Sequence, residues 1–440
     1  MAAPGTTIEE RGGLALSVQT SPTVPVLIGI YFGADGVRVP MARGCVRVET
    51  WLDYVEKFSA ASTSMVANLT STPDALKASY QHELDSINVD PYSRGPVALR
   101  HYFENGGGPC YVLPYAAAAD YPGWTQQIQN AGPESGISLI AHIDKPYQMG
   151  GAYEGLAPLL EGASPCFLIT SSTDPGGRVT SRPELDPAMQ AAFYHPFLKI
   201  PYRYWRDDAT MVVTGYKDSE DDSGATIFLA ELAQRNPALY KKIVQKTDER
   251  IAEIGDIELP PSAAVAAAYC RTHRERGIWK APANVTLVNA VPALLVSDAE
   301  HGDLNDQGVN VIRYFSGQGA VIYGARTMDV AQTDWRYVPV RRLFNQVERD
   351  VTDAMKFAVY EPNTAATWVR VKSAIESYLH GLWQQGGLKG AKPEEGYVVA
   401  VGESTMTPEE IVEGTMIVRI GLAVVRPAEF IILQFTQNMA

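Results

Sequence analysis

Short apolar runs alternate with helical patterns over residues 95–215, and this alternation constrains the fold more than any other feature of the sequence. The continuous apolar runs Val24–Ile30, Cys110–Leu113, Ile137–Ile143 and Cys166–Thr170 predict buried strands, and Pro96–Asn105 predicts a helix. Strands separated by helices at this spacing are typical of crossover connections between parallel strands. The sequence therefore predicts an α/β domain with a mostly parallel sheet.

Length and charge set the broad class of the protein. The chain has 440 residues and a net charge of −13, and 46% of its residues are hydrophobic. This length exceeds one compact core, so we expect two or three domains. The acidic balance argues against a nucleic-acid partner, which would need a basic face. No apolar run approaches the roughly 18 residues that span a bilayer, and no secretory signal is visible at the N-terminus. We therefore expect assembly in the cytoplasm without membrane insertion.

The last hundred residues have a different pattern, typical of an α+β unit. Val340–Met355 and Thr364–Trp383 each carry an apolar stripe at helical spacing. Asn363 is a suitable N-cap for the second helix. Tyr397–Val401 and Thr415–Val425 predict two strands. We expect two helices packed on a small sheet.

The two ends of the chain carry strand patterns that lack an obvious partner. Near the C-terminus, Ile431, Leu433 and Phe435 would lie on one face of a strand, and Phe430 and Ile432 on the other. An apolar terminal strand must pair with an open sheet edge, either in its own fold or on a neighbouring copy. The N-terminal segment has a shorter alternation at Leu14, Leu16 and Val18.

Motifs for chemistry are weak in this sequence. Gly317-Gln318-Gly319 resembles a nucleotide-binding glycine pattern, but the spacing differs and no helix is predicted after it, so we interpret it as a turn. His142 and Asp144 lie at the end of a predicted strand, where a site could form in an open α/β sheet, but a solvated strand end is the simpler interpretation. Phosphate loops, zinc spacings and serine nucleophile motifs are missing from the sequence. We predict neither enzymatic activity nor a cofactor, metal or catalytic residue.

A local excess of positive charge lies between Trp335 and Gly390. Eight Lys and Arg residues against five Asp and Glu residues make this stretch +3 in an acidic chain. A basic helical face of this kind can dock an acidic partner, although an ordinary solvated helix surface explains it equally well.

Five ordered motifs in the C-terminal part carry a family resemblance. They are Pro261–Asn284, Gly308–Met328, Trp335–Leu343, Tyr360–Asn363 and Arg426–Phe430. In this order they resemble the contractile tail sheath family. The segment Tyr102–Val112 resembles an upstream family motif, whereas about 116–259 matches only loosely. Among subfamilies, the sequence is most similar to sheaths of extracellular contractile injection systems of the anti-feeding prophage type. Contractile phage tails and R-type tailocins are alternatives, and an oligomeric α/β ligand-binding protein or enzyme is a remote one.

The resemblance implies a structural function. Family subunits form hexameric rings that stack into a helical sleeve around an inner tube, with baseplate and cap proteins at its ends and sheath paralogues in some systems. The sleeve contracts and drives the tube through a target envelope, as part of a phage tail-like particle. The resemblance also implies four segments: an N-terminal arm (1–23), an α/β outer domain (24–330), a C-terminal sheath domain (331–427) and an exchanged C-terminal strand (428–440).

Two sets of site residues follow from the resemblance. The family exchanges terminal strands between subunits, and the matching residues are Leu14, Leu16, Val18, Phe430, Ile431, Ile432, Leu433 and Phe435. The family's tube-facing helices match the basic stretch, which gives Arg341, Arg342, Arg349, Arg370 and Lys372 as tube contacts. The residues that flank the N-terminal arm, Ser21-Pro22 among them, would then act as a hinge.

Overall fold

The computed structural model describes residues 18–59, 61–74, 79–90, 93–144, 153, 155–162, 165–172, 179, 182–218 and 226–429. These residues form two compact units. The larger unit contains residues 22–345 and 426–429, and the smaller one contains 18–21 and 346–425. The boundary between the units falls inside a helix, Val338–Met355. It lies near the predicted boundary at 330/331, but the assignment of separate functions to these segments stays a prediction.

The strands in chain order are β1 (Val24–Gly29), β2 (Val46–Val48), β3 (Met65–Asp74), β4 (Ser79–Val89), β5 (Cys110–Pro114), β6 (Ile137–His142), β7 (Phe167–Ser171), β8 (Ala191–His195), β9 (Leu198–Ile200), β10 (Val212–Thr214), β11 (Ile227–Phe228), β12 (Ile257–Leu259), β13 (Val285–Thr286), β14 (Val291–Pro292), β15 (Val309–Phe315), β16 (Gly319–Ile322), β17 (Tyr397–Val401) and β18 (Val418–Leu422). The α-helices are α1 (Trp51–Lys57), α2 (Gly95–Glu104), α3 (Trp124–Asn130), α4 (Leu229–Arg235), α5 (Pro237–Ile254), α6 (Ser262–Arg276), α7 (Asp298–Asp306), α8 (Val338–Met355), α9 (Ala365–Gln384), α10 (Pro393–Gly396) and α11 (Pro408–Val412).

A nine-stranded sheet forms the centre of the described part of the larger unit, in the order β13-β16-β15-β8-β7-β6-β1-β5-β2. The six central strands, from β15 to β5, pair in parallel, and the strands at both edges are antiparallel. The predicted parallel sheet is therefore confirmed. Its strands are buried on both faces, which is why they appear in the sequence as continuous apolar runs.

Helices cover both faces of this sheet. Along β1, Leu27 packs into one hydrophobic cluster with α6, while Val26 and Ile28 pack into a second cluster with α3 on the other face. Successive side chains of a strand point to opposite faces, so two separate cores result. The helix α6 is alanine-rich and buried from Ser262 to Cys270, and it packs on β6 and β7. Its small side chains allow close approach to the sheet.

Several strands were not predicted from the sequence: the central strands β8 and β15 of the large sheet, and a long hairpin. β3 and β4 are antiparallel and belong to a second sheet in the order β11-β10-β3-β4. Met65, Ala67 and Leu69 are buried and the residues between them are less so. This period-two alternation is a strand signal that was available in the sequence.

The smaller unit packs α9 against β17 of a two-stranded antiparallel sheet. Val371, Ile375 and Leu379 form the buried side of α9, as predicted. The N-cap prediction was wrong by one residue, because Thr364 holds that position. Asn363 instead accepts a hydrogen bond from Trp368 Nε1 at 2.7 Å and donates one to the Thr415 carbonyl at 2.9 Å. It therefore joins the start of α9 to the loop after α11.

Two motif predictions have clear outcomes. Gly317-Gln318-Gly319 forms the tight turn between β15 and β16, with Gly317 and Gly319 at φ of 85° and 82°. The interpretation as a turn is confirmed. The strand end at His142 and Asp144 is not solvated, since both side chains are buried. Burial lowers the pKa of His142 to about 3 and raises the pKa of Asp144 to about 7. The prediction of a solvated strand end was wrong because the helices that cover the sheet also cover this position.

Candidate assembly surfaces

The predicted tube-contact cations fall into two groups. Arg341, Arg342 and Arg349 on α8 are 4%, 5% and 8% exposed. The expectation that they form a solvent-facing basic surface is therefore wrong for these three residues in this conformation. The physical reason is that residues 338–351 of α8 are buried or partly buried on all sides, so charged side chains there serve internal contacts.

The two buried arginines in the larger unit each have identifiable partners. Arg341 donates from Nε to Asn345 Oδ1 at 2.6 Å, and its guanidinium lies 4.4 Å from the centre of the Trp335 ring. Arg342 donates from Nη2 to Thr23 Oγ1 at 2.7 Å and lies 4.6 Å from the centre of the Tyr269 ring. Arg342 thus fixes the start of β1 to the body of the larger unit.

Arg370 and Lys372 on α9 are exposed, as predicted. Arg370 pairs with Glu361 at 2.9 Å, and Lys372 lies 3.8 Å from Glu376. Residues two positions apart lie about 160° apart around a helix, so they do not share a face. A flat partner surface can touch one of these cations but not both. Whether either contacts an inner tube stays a prediction.

The N-terminal segment is held at Ser21, its last residue in the smaller unit. Ser21 donates its backbone N–H to Asp350 Oδ1 at 3.2 Å and accepts from Gln346 Nε2 at 3.0 Å. Tyr378 donates its hydroxyl to the other oxygen of Asp350 at 2.7 Å. Burial raises the pKa of Asp350, against the opposing effect of these hydrogen bonds. Ser21 is held on both backbone groups and the boundary between the two units falls directly after it, so the hinge at Ser21-Pro22 stays a prediction.

A groove continues from this anchored segment. It has a volume of about 250 Å³ and is lined by Val18, Thr20, Ala374, Ser377, Tyr378, Gly381, Leu382 and Gln385. Val18 is the one predicted strand-exchange residue inside the described ranges, and it has no strand assignment. Leu14, Leu16, Phe430, Ile431, Ile432, Leu433 and Phe435 lie outside the described residues.

The two-stranded sheet of the smaller unit has open edges. β17 and β18 pair from Tyr397↔Leu422 to Val401↔Val418, and no third strand pairs with them in the part of the chain that the structure describes. A single bridge between Leu388 and Val424 lies beyond the end of β18. Sheets of two strands are marginal by themselves, and unpaired edges are ready to accept another strand. This sheet is the candidate acceptor for an exchanged arm.

Other kinds of site find little support. Across the described ranges, no group of three or more His, Cys, Asp and Glu side chains could hold a metal. None of the described helices has the length and apolar character needed to cross a membrane.

Two family models match the chain. The phage tail sheath protein central domain covers residues 207–328, and the phage tail sheath C-terminal domain covers residues 330–438. Together they span more than half of the chain. The chain belongs to the phage tail sheath family. The family resemblance predicted from the five motifs is thus confirmed.

Solved sheath structures are similar over the whole chain. The helical sheath of the anti-feeding prophage in its contracted state is 34% identical, with 100% of each chain covered and a TM-score of 0.69. The PVC sheath complex of an extracellular contractile injection system, also contracted, is 31% identical, with 100% of this chain and 98% of that one covered and a TM-score of 0.67. The predicted fold class and the similarity to this subfamily are confirmed.

A curated sheath protein matches over a shorter stretch. The tail sheath protein of Vibrio phage KVP40 is 31% identical over 134 residues, which is 30% of this chain and 20% of that protein. The aligned stretches cover between a fifth and about a quarter of the curated phage sheath proteins.

Proposed function

We propose that this sheath protein polymerises as stacked hexameric rings around an inner tube, and that the sleeve contracts to drive the tube through a target envelope. The full-length similarity to two contracted sheaths supports self-assembly and contraction. In such a particle, a baseplate, a terminal cap and possible sheath paralogues are the further partners. Assembly in the bacterial cytoplasm and later release fit a phage tail-like particle. The proposal contains no enzymatic step.

One observation carries the assembly mechanism. Among the residues that the structure describes, no third strand pairs with the small sheet β17-β18, while the sequence supplies an apolar strand pattern at Phe430–Phe435 and a second one at Leu14–Val18. Pairing of these segments with the sheet of a neighbouring subunit would satisfy both the edges and the arms. Main-chain hydrogen bonds form the joint, so it tolerates a change in the relative rotation of subunits.

Truncation tests this mechanism. Deleting residues 428–440 should leave folded, soluble subunits that do not form tubes in negative-stain microscopy. This deletion also removes Glu429, so a second variant is needed. The pair of substitutions Ile431→Asp and Leu433→Asp keeps Glu429 and places charges on one face of the strand, and it should also prevent tubes.

A matched control separates strand pairing from a general effect of added charge. Val412 is 87% exposed at the end of α11, outside both strands of the sheet. Val412→Asp should therefore form normal tubes. Normal tubes from the 428–440 deletion would contradict the strand-exchange mechanism.

A further inference from the structure

Glu429, the last described residue before the predicted C-terminal arm, is bound by four hydrogen bonds. Arg326 donates from Nε to Glu429 Oε1 and from Nη2 to Oε2, both at 2.8 Å. Asn305 donates from Nδ2 to Oε1 at 3.0 Å, and Tyr337 donates its hydroxyl to Oε2 at 3.1 Å. Paired N–H···O bonds between a guanidinium and a carboxylate are strong and geometrically specific.

Arg326 is itself held by the central sheet. Asn310 is fully buried on β15. Its Oδ1 accepts from the Arg326 backbone N–H at 2.7 Å, and its Nδ2 donates to the Arg326 carbonyl at 2.8 Å. The Arg326 Nη1 also donates to the Asn305 carbonyl at 2.7 Å. Contacts therefore run without interruption from Glu429 through Arg326 to a central strand.

The neighbouring ion pair of the same segment is different. Arg426 and Asp334 lie 2.7 Å apart, but their side chains are 44% and 81% exposed. The corresponding values for Arg326 and Glu429 are 9% and 19%. Exposed ion pairs contribute little to stability, whereas breaking a partly buried bidentate pair costs much more free energy. We name residues 426–429 the C-terminal root. The Arg326–Glu429 pair is thus the contact that holds this root to the rest of the subunit.

We propose that Arg326 and Glu429 anchor the C-terminal root, so that force on an exchanged arm is transmitted to the central sheet. The inference rests on the proposed strand exchange. A splice made of main-chain hydrogen bonds can carry load only if the segment leading to it is fixed to its own subunit. Arg326 and Glu429 are positioning residues here, because neither needs to contact the neighbouring copy.

The first test measures the root in the unassembled subunit. Chymotrypsin cleavage after Phe430 is followed by mass spectrometry, because the protease must also bind the preceding residue, Glu429, and the four hydrogen bonds to Glu429 oppose this. Glu429→Gln keeps the shape but removes the charge and one acceptor, and it should raise the cleavage rate about ten- to a hundredfold. Arg326→Lys keeps the charge and loses the paired geometry, so it should also raise the rate.

Two comparisons make this test specific. The double variant should be cleaved no faster than Glu429→Gln alone, because both substitutions remove the same interaction. Asp334→Asn breaks the exposed pair of the same root and should change the rate less than about fivefold. A wild-type cleavage rate in Glu429→Gln would show that the pair does not hold the root, and would overturn the proposal.

The second test measures load transmission. Tubes assembled from Glu429→Gln subunits should break under shear into shorter pieces than wild-type or Asp334→Asn tubes, as measured by electron microscopy. Faster cleavage with tubes of wild-type length would overturn the anchoring role and leave strand exchange intact. If the wild-type chain formed no tubes, the proposed function would fail and the anchoring role with it, whereas the cleavage series would still report on the root itself.

Discussion

Replacing Arg342 should destabilise the subunit, although the residue belongs to the basic stretch that suggested a tube contact. Arg342→Ala removes a charged hydrogen bond to Thr23 and the contact with the Tyr269 ring. A hydrogen bond to a charged group contributes about 1.5–3 kcal/mol, and a cation–π contact about 0.5–2 kcal/mol. Burial of the Arg342 charge costs desolvation free energy, and the alanine variant avoids this cost, which offsets part of the loss. We expect a net loss of about 2–4 kcal/mol.

Arg370→Ala is the matched control. Arg370 lies on α9 with a side chain that is 52% exposed, and it has one ion pair, to Glu361. Such pairs contribute about 0–1 kcal/mol, so this variant should unfold nearly as the wild type does. The two variants remove the same side chain and differ only in burial and partners.

Urea unfolding followed by tryptophan fluorescence compares the two. Arg342 belongs to the larger unit, so if the units unfold in separate transitions, only the transition of that unit should move. Arg342→Met retains the packing of the stem, and Thr23 Oγ1 keeps its hydrogen bond with His273 Nδ1 at 2.7 Å. This variant should therefore lose less stability than Arg342→Ala. Equal midpoints for Arg342→Ala and Arg370→Ala would refute the argument from burial.

Two further predictions concern pH and the tube. Burial holds the pKa of His142 at about 3, below its usual 6.5, so the unfolded chain binds this proton more readily. The contribution of His142 to stability should fall as pH drops from about 6.5 towards 3, by at most on the order of 4 kcal/mol. Asp144 contributes with the opposite sign because burial raises its pKa to about 7, so the quantity to measure is the stability difference between wild type and His142→Gln at each pH. This difference should shift against the wild type as the pH falls, and a difference that does not vary with pH would count against the prediction. The charge reversals Arg370→Glu and Lys372→Glu are made one at a time. One of them should weaken co-sedimentation of the sheath protein with the tube, and if neither does, the proposed contact between α9 and the tube is wrong.

Four parallel strands of the large sheet, β1, β5, β6 and β7, were predictable because they are largely buried on both faces, whereas the central strands β8 and β15 were not predicted. Cys110–Pro114 and Ile137–His142 occur in the sequence as continuous apolar runs. Runs of this length are typical of buried strands and short for buried helices. The β3-β4 hairpin was missed because its strands are only partly buried and carry Thr, Ser and Asn among the apolar positions. Its alternating pattern is present but weak.

The candidate site was harder to predict than the fold. Arg341, Arg342 and Arg349 were assigned to a tube contact because they match the family's tube-facing helices within a locally basic stretch. For Arg342, burial depends on a partner distant in the sequence, Thr23, more than 300 positions away. The same applies to Arg326 and Glu429, which are 103 positions apart. Single-sequence periodicity reports which face of a helix is apolar, and it carries no signal for such long-range polar pairs.

The proposed contacts of the sleeve should differ in their response to salt. The joint between neighbours consists of main-chain hydrogen bonds, which salt does not screen. The Arg326–Glu429 pair is largely shielded from solvent, so screening acts on it weakly. A tube contact through Arg370 or Lys372 lies at exposed side chains and should weaken steeply as ionic strength rises. Rising salt should therefore release the tube before it separates the subunits, which is the order that a sliding tube inside an intact sleeve requires.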